Sequence, residues 1–180
     1  MAEKIISLIP CYTYNELYVE PVITELNKIS ETILFTTSPI ESTSANHIIV
    51  CDPTLQRNLV YETRKWVVNN LNLEWDFILY NENDIMISAE SIQNAISLYN
   101  SLPSSFIPGF IRYEIDQNGN KRYIDMHPAH SVHRNGIGSV KQIITDLNIW
   151  EPWNIHTGNW LFSKNDIKQM IEHRRFETYY

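Results

Sequence analysis

Two carboxylates and an asparagine directly follow a strongly apolar run in this chain. Residues 77–80 are apolar, Glu82-Asn83-Asp84 (the acidic tripeptide) comes after them, and a second apolar run follows at 85–87. Side chains two residues apart on an extended chain point the same way, so we expect the two carboxylates to lie side by side. Such hard oxygen ligands favour Mg²⁺ or Mn²⁺, which usually also binds substrate phosphates. The pattern predicts a metal- and nucleotide-dependent enzyme, and its alternative is a solvated acidic turn.

A second candidate region, residues 150–160, combines aromatic and polar side chains. It holds three tryptophans together with Glu151, His156 and two asparagines. In a sugar-binding pocket, flat aromatic faces stack on the C–H groups of the ring, and neighbouring polar side chains bind its hydroxyls. The segment therefore predicts a sugar-binding site, although packing in the core would also explain the tryptophans.

Two further groups of polar residues carry weaker signals. His127, His130 and His133 are spaced by three, but Pro128 breaks any helix that would align their rings, and the spacing is not that of a zinc site. One of these histidines lining a polar pocket is the better interpretation. Arg57 and Arg64, on the helix that precedes the acidic tripeptide, could offset diphosphate charge, and a solvated helix face is an equally good explanation.

The elements that must position these residues alternate between strand and helix in the first half. Apolar spacing predicts strands at 4–9, 32–36, 47–50 and 77–80 and helices at 19–29, 54–70 and 89–100. Such alternation is typical of an α/β fold with a mostly parallel sheet covered by helices on both faces. Ligands bind such sheets at the carboxyl ends of the strands, where the acidic tripeptide falls.

The second half of the chain has a different, irregular α+β pattern. We expect a strand at 106–114, a hairpin turn at 117–120, a return strand at 121–126, and helices at 139–147 and 164–173. At 180 residues the chain is predicted to form one domain with two halves, 1–100 and 101–180.

Bulk composition excludes several functional classes. A net charge of −7 argues against nonspecific nucleic-acid binding. The dinucleotide motif GxGxxG and the P-loop motif GxxxxGK[ST] are both absent from the sequence. Cys11 and Cys51 are predicted to be reduced thiols. The N-terminus is not typical of a signal peptide, and no apolar run approaches the ~20 residues of a membrane span, so we expect a soluble, cytoplasmic protein.

Two motifs, in their order along the chain, resemble those of a known family. Pro10-x-Tyr12-x-Tyr14-Asn15-Glu16 after the first strand resembles the opening of nucleotide-sugar glycosyltransferases of the GT-A fold, with one extra residue. The acidic tripeptide resembles their Asp-x-Asp motif, with Glu in first place. Residues 156–160 are similar to the segment that closes the acceptor side of such enzymes. The resemblance covers about residues 4–170, and the composition is also similar to compact glycosyltransferases of large DNA viruses.

This resemblance implies a function and a set of roles. The chain would be a GT-A-like enzyme that transfers a sugar from a nucleotide-diphospho-sugar, most simply a UDP-sugar, to a glycan or another hydroxyl acceptor. Half 1–100 would bind the donor and half 101–180 the acceptor. The implied Mn²⁺ or Mg²⁺ ligands are Glu82, Asp84 and His156; the implied nucleotide-binding residues are Pro10, Tyr12, Thr37, Arg57, Arg64 and Asn83. An inverting enzyme would use Glu151 or Glu114 as the base that deprotonates the acceptor.

Two other functional classes stay open at this point. The same carboxylates could serve a metal-dependent nucleotidyltransferase or phosphohydrolase, although residues 11–17 lack the Gly, Lys and Arg that a nucleotidyltransferase loop usually has. The Glu-Asn-Asp sequence, which departs from Asp-x-Asp, also fits a non-catalytic carbohydrate-binding protein on the same fold.

Overall fold

The computed structural model describes residues 3–103, 106–110, 113–123, 140–144, 149–152, 158–173 and 176. The chain divides into two compact units, one of residues 1–109 with 158–180 and the other of residues 110–157. In chain order the elements are β1 (Ile5–Cys11), α1 (Glu16–Leu26), β2 (Glu31–Thr36), β3 (His47–Val50), α2 (Leu59–Asn69), β4 (Phe77–Asn81), α3 (Ala89–Ser101), β5 (Tyr113–Ile115), β6 (Lys121–Tyr123), β7 (Val140–Ile144), β8 (Ile149–Pro152), β9 (Asn159–Ser163) and α4 (Lys164–Glu172).

The first unit is built on a five-stranded sheet with the order β3-β2-β1-β4-β9. The first four strands are parallel, and β9 pairs antiparallel with β4. Parallel strands need crossover connections, and α1 lies in the segment between β1 and β2 and α2 in the segment between β3 and β4. The prediction of an α/β fold with a mostly parallel sheet is confirmed.

Both faces of the sheet are packed against helices. Ile78 belongs to a buried cluster with residues of α2 and α4 on one face. The ring of its neighbour Phe77 packs edge-on against Tyr99 of α3, with ring centroids 5.3 Å apart. Successive strand residues point to opposite faces, so α3 lies on the face opposite α2 and α4. Strands buried on both faces explain why β1, β2 and β4 each contain consecutive apolar residues rather than an alternating pattern.

Helix α1 begins three residues earlier than predicted, at Glu16. Asn15 is its N-cap, and the Asn15 side chain accepts a hydrogen bond of 3.1 Å from the backbone amide of Leu17. Pro21 consequently lies inside the helix rather than in its first turn. The capping asparagine belongs to the Tyr-Asn-Glu sequence that ends the opening motif, so this motif also starts a helix.

The predicted helix at 54–70 is divided into a 3₁₀ helix, which has a kink inside it, and α2. A 3₁₀ helix, Pro53–Asn58, precedes α2, and Gln56 has a φ of 47° within it. The carboxylate of Asp52 accepts hydrogen bonds of 2.8 Å from the Thr54 amide and 2.7 Å from the Thr54 hydroxyl. This cap, with Pro53 in the first helical position, fixes where the chain turns after β3.

In the described part of the second unit, β5 and β6 pair as the hairpin that was predicted around residues 117–120, whereas β7 lies where a helix was predicted. Of the strand expected at 106–114, residues 106–110 are not in a strand, in keeping with Pro108, which has no amide hydrogen to donate to a strand ladder; β5 begins at Tyr113. The helix expected at 139–147 is wrong. Residues Val140–Ile144 form β7 and pair antiparallel with β8. Val140, Ile143 and Ile144 are β-branched, which favours a strand in so short an apolar segment.

Strand β9 is the main element of the first unit that the sequence analysis missed. It lies next to β4 with Leu79 opposite Leu161, and Leu161 is fully buried. The terminal helix α4 follows it directly, from Lys164, as predicted. Both elements belong with the first unit, so the chain returns to the first sheet after residue 157 instead of forming a continuous half from 101 to 180. Among the described residues, no helix has both the length and the apolar character needed to cross a membrane.

Candidate functional site

The acidic tripeptide follows β4 at the carboxyl edge of the parallel strands, but it does so in a turn. The backbone amide of Ile85 donates a hydrogen bond of 3.2 Å to the carbonyl of Glu82, and Asn83 and Asp84 are the two central turn residues. The expectation that both carboxylates project from an extended chain is therefore wrong, because this hydrogen bond reverses the chain between them. Glu82 is half-buried, whereas Asp84 is exposed.

Asn81, the last residue of β4, holds the turn at both ends. Its side-chain amide nitrogen donates hydrogen bonds of 2.9 Å to the carbonyl of Glu82 and 2.8 Å to the carbonyl of Ile85. The residue is fully buried, and so is Asn159, its antiparallel neighbour on β9. Neither amide oxygen of the pair has a hydrogen-bond partner within the described chain. The sequence signal for this anchor is an asparagine at the end of an otherwise apolar strand.

Two more hydrogen bonds tie the acidic tripeptide to neighbouring strands. The Glu82 amide donates a bond of 2.8 Å to the carbonyl of Gly158, just before β9. The Asn83 side chain lies 3.6 Å from the sulfur of Cys11, at the end of β1, and donates to it. Burial raises the pKa of Cys11 and outweighs the bond from Asn83, which lowers it; the resulting pKa is about 11, so the thiol is protonated at neutral pH. The acidic tripeptide is thus fixed between β1 and β9.

The charged oxygens of the acidic tripeptide suit a hard divalent cation. Within the described ranges, no three or more His, Cys, Asp or Glu side chains form a group that could hold a metal ion. Mg²⁺ is commonly bound by only one or two carboxylates, with substrate phosphates and water completing its shell. Glu82 and Asp84 fit that kind of site. They do not fit a closed structural metal centre, which needs four protein ligands in the case of zinc.

A groove of about 700 Å³ opens at the carboxyl ends of β1 and β2 and beside the turn after β3. Tyr12 and Thr37 line it, and the Thr37 hydroxyl donates a hydrogen bond of 3.1 Å to the carbonyl of Tyr12. Both residues are among the nucleotide contacts that the family resemblance implies, and the structure brings them together here. Glu16 and Glu41 also line the groove, whose described lining includes no lysine or arginine.

One wall of the groove is anchored by Glu20 of α1, which the sequence analysis did not identify. Its carboxylate accepts hydrogen bonds of 2.5 Å from the Tyr14 hydroxyl, 2.6 Å from the Thr43 hydroxyl and 2.9 Å from the Ser44 amide. Burial by itself raises the pKa of Glu20, but these hydrogen bonds outweigh burial, and the pKa lies below its ordinary value. Glu20 therefore stays ionised and holds the segment after β2 against α1.

The aromatic pair Tyr80 and Trp160 lies on the α2 side of the sheet, one residue before Asn81 and one after Asn159. Their rings stack with centroids 5.3 Å apart and planes within 8°. Burial raises the pKa of Tyr80; the charge of Glu82 raises it further and that of Arg64 lowers it. Arg64 also places its guanidinium 5.4 Å from the centre of the Tyr61 ring. Packing accounts for Trp160, the one tryptophan of the 150–160 segment whose side chain is described.

The remaining predicted site residues fall at several places. Pro10 is part of β1 and lies opposite Phe35 of β2, at the same edge as the groove. Arg57 lies in the 3₁₀ helix that follows β3. Glu114 is an exposed residue of β5, and Glu151 belongs to β8, both in the second unit. His127, His130, His133 and His156 lie outside the described residues.

Comparison with known proteins does not assign the chain to a family. The chain matches no protein-family model and no curated protein. The candidate site is therefore interpreted from its own residues and geometry.

Proposed function

We propose that this chain is a metal-dependent glycosyltransferase that transfers a sugar from a nucleotide-diphospho-sugar, most simply a UDP-sugar, to a glycan or another hydroxyl acceptor. The observation that carries this proposal is the placement of the acidic tripeptide. It lies at the carboxyl end of β4, hydrogen-bonded to β1 through Cys11 and adjoining β9 through Gly158. Ligand sites of open parallel sheets form at this edge.

The neighbouring groove supports a nucleoside as the ligand. Tyr12, just after β1, is 49% accessible and offers an aromatic ring, and Thr37 and Pro39 line the same groove. The two groove carboxylates, Glu16 and Glu41, can accept hydrogen bonds from ribose hydroxyls but repel phosphates. A nucleotide would therefore place its neutral nucleoside in the groove and its diphosphate towards a cation.

The acidic tripeptide supports a divalent cation, Mn²⁺ or Mg²⁺, as the partner of that diphosphate. When bound, such an ion would offset the charge of the leaving nucleoside diphosphate. The exposed carboxylate of Asp84 would make such a contact, and half-buried Glu82 would add a second charge. His156 remains a proposed third ligand, and Arg57, Arg64 and Asn83 remain proposed nucleotide contacts.

Sugar transfer with inversion would need a carboxylate that deprotonates the acceptor hydroxyl. Glu151 and Glu114 keep that proposed role, and a retaining reaction would not need the base in the same place. Both residues lie in hairpin strands of the second unit. Replacing each of them by glutamine and measuring sugar transfer separates the two candidates, because only loss of the base lowers turnover without weakening binding of the donor.

The experiment that tests the proposal compares Asp84→Ala with Glu74→Ala. Both remove an exposed carboxylate, but Glu74 precedes β4 at the opposite end of that strand. We expect Asp84→Ala to abolish Mn²⁺-dependent binding of UDP or a UDP-sugar, and Glu74→Ala to bind like the unchanged protein. Undiminished binding by folded Asp84→Ala would remove the metal role. Glycan binding indifferent to metal and nucleotide would instead favour a non-catalytic carbohydrate-binding protein.

A further inference from the structure

Gly158, the residue before β9, touches the acidic tripeptide more closely than any other type of residue could. An ideal β-carbon added to Gly158 would lie 2.6 Å from the carboxyl carbon of Glu82, and closer still to one of its oxygens. It would also lie 2.5 Å from the terminal methyl carbon of Ile85. The space that a side chain at 158 would occupy is therefore filled by the Glu82 carboxylate and the terminal methyl group of Ile85.

Hydrogen bonds on both sides of this contact fix the backbone of Glu82. Its amide is bonded to the Gly158 carbonyl, and its own carbonyl accepts bonds from the Ile85 amide and the Asn81 side chain. With the main chain held in this way, the position of the carboxylate depends on its side-chain torsions alone. The Glu82 side chain packs against Gly158, and this contact restricts those torsions.

Backbone conformation does not explain why residue 158 is a glycine. Among the described residues, Gly119 is the glycine with a positive φ, 82°, and it lies in the β5–β6 turn. Gly158 has no such φ, so an alanine could adopt its backbone conformation. The requirement at 158 is thus for close approach of the Glu82 side chain. Gly109 provides a contrast, because a β-carbon there would meet nothing within 4 Å.

We propose that Gly158 is a positioning residue that fixes the Glu82 carboxylate, and that this contact sets the affinity of the acidic tripeptide for a divalent cation. The presence of a cation rests on the proposed function, and the role of Gly158 is the new claim. The atoms that an added methyl group would displace are the far ends of flexible side chains. We therefore expect Gly158→Ala to move the carboxylate while the strands stay paired. Loss of a residue that orients a metal ligand typically costs about 10–100-fold in metal affinity.

The test uses the full chain and Mn²⁺ alone, measured by calorimetry, with Gly109→Ala as the matched control. We expect Gly158→Ala to weaken Mn²⁺ binding about 10–100-fold and Gly109→Ala to leave it unchanged. Glu82→Gln, which keeps the shape and removes the charge, should weaken binding as well. Adding Gly158→Ala to Glu82→Gln should cause no further loss, because residues that act through one contact are not additive.

Two results would overturn the inference. One is Gly158→Ala binding Mn²⁺ as tightly as Gly109→Ala while Asp84→Ala does not bind. The other is losses from Gly158→Ala and Glu82→Gln that multiply in the double variant. By contrast, an unchanged protein that binds no Mn²⁺, with or without nucleotide, defeats the proposed function itself.

A measurement on the unchanged protein tests the same inference without relying on the folding of a variant. Titration with Mg²⁺, followed by amide NMR, should shift the Gly158 resonance together with that of Asp84 and leave Gly109 unmoved. A Gly158 resonance that stays fixed while Asp84 shifts would overturn the positioning role. If the Asp84 resonance does not shift either, the acidic tripeptide does not bind Mg²⁺, and the proposed cation site is contradicted.

Discussion

Replacing Asn81 by alanine should destabilise the protein through the turn that carries the acidic tripeptide. The Asn81 side chain donates one buried hydrogen bond to the Ile85 carbonyl and one half-buried bond to the Glu82 carbonyl. The variant leaves both carbonyls without that donor. It also removes the Asn81 amide oxygen, which has no partner within the described chain.

The size of the effect follows from these three contributions. Leaving the buried Ile85 carbonyl unsatisfied costs about 1–3 kcal/mol, and losing the half-buried bond to Glu82 costs about 0.5–1.5 kcal/mol, since water can replace it. Removing the unpartnered oxygen offsets roughly 1 kcal/mol of this loss. We therefore expect the free energy of unfolding to fall by about 0.5–3.5 kcal/mol. For a chain of this length the corresponding drop in Tm is about 1–14 °C.

Urea unfolding followed by circular dichroism measures this loss, and Asn94→Ala is its control. Asn94 is an exposed residue of α3, so its replacement should change the free energy of unfolding by no more than about 0.5 kcal/mol. The midpoint for Asn81→Ala should fall with an unchanged slope. If Asn81→Ala loses no more stability than Asn94→Ala, the turn is not held by this side chain, and our reasoning about the site is refuted.

Three further predictions address the core, a helix cap and the groove. Ile78→Ala should cost about 2–5 kcal/mol in urea unfolding, because Ile78 is fully buried, and a result under 1 kcal/mol would contradict the assigned core. Ser163→Ala should cost about 0.5–2 kcal/mol, since Ser163 forms a capping box with Asp166 at the start of α4; an unchanged midpoint would show that the box contributes nothing. Glu20→Gln should destabilise the protein at neutral pH. The pKa of Glu20 in the folded protein lies below the ordinary 4.5. The difference in the free energy of unfolding between Glu20→Gln and the unchanged protein should therefore shrink as the pH falls below about 4.5. A difference that stays constant down to pH 2 would show that the Glu20 carboxylate is not its cause.

The parallel sheet was predictable because its strands are buried on both faces. β1, β2 and β4 each contain consecutive apolar residues, and the helices between them show helical spacing of apolar residues. Their boundaries were less predictable, because caps such as Asn15 act through single side chains. The antiparallel strand β9 was missed, since five residues rich in aromatics have no period that distinguishes a strand from a loop.

The candidate site was predictable in its location but not in its geometry. A parallel sheet places the ends of β1, β2 and β4 at one edge, which is why Tyr12 and Thr37 meet at one groove. The turn at residues 82–85 depends on Asn81, whose two hydrogen bonds reach carbonyls that no sequence pattern marks. The role of Gly158 depends on pairing between residues that are 76 positions apart, and such pairing is visible only in the folded chain.

Calorimetric titration with UDP, GDP and UDP-glucose, each with and without Mn²⁺, tests the proposed function most directly. Binding of one nucleotide that requires Mn²⁺ is the result we predict, because the groove suits a nucleoside and the acidic tripeptide suits a cation that would bind its diphosphate. Circular dichroism would show that the protein is folded in the same samples. Folded protein that binds none of the three ligands, with or without Mn²⁺, would contradict the proposed use of these nucleotides.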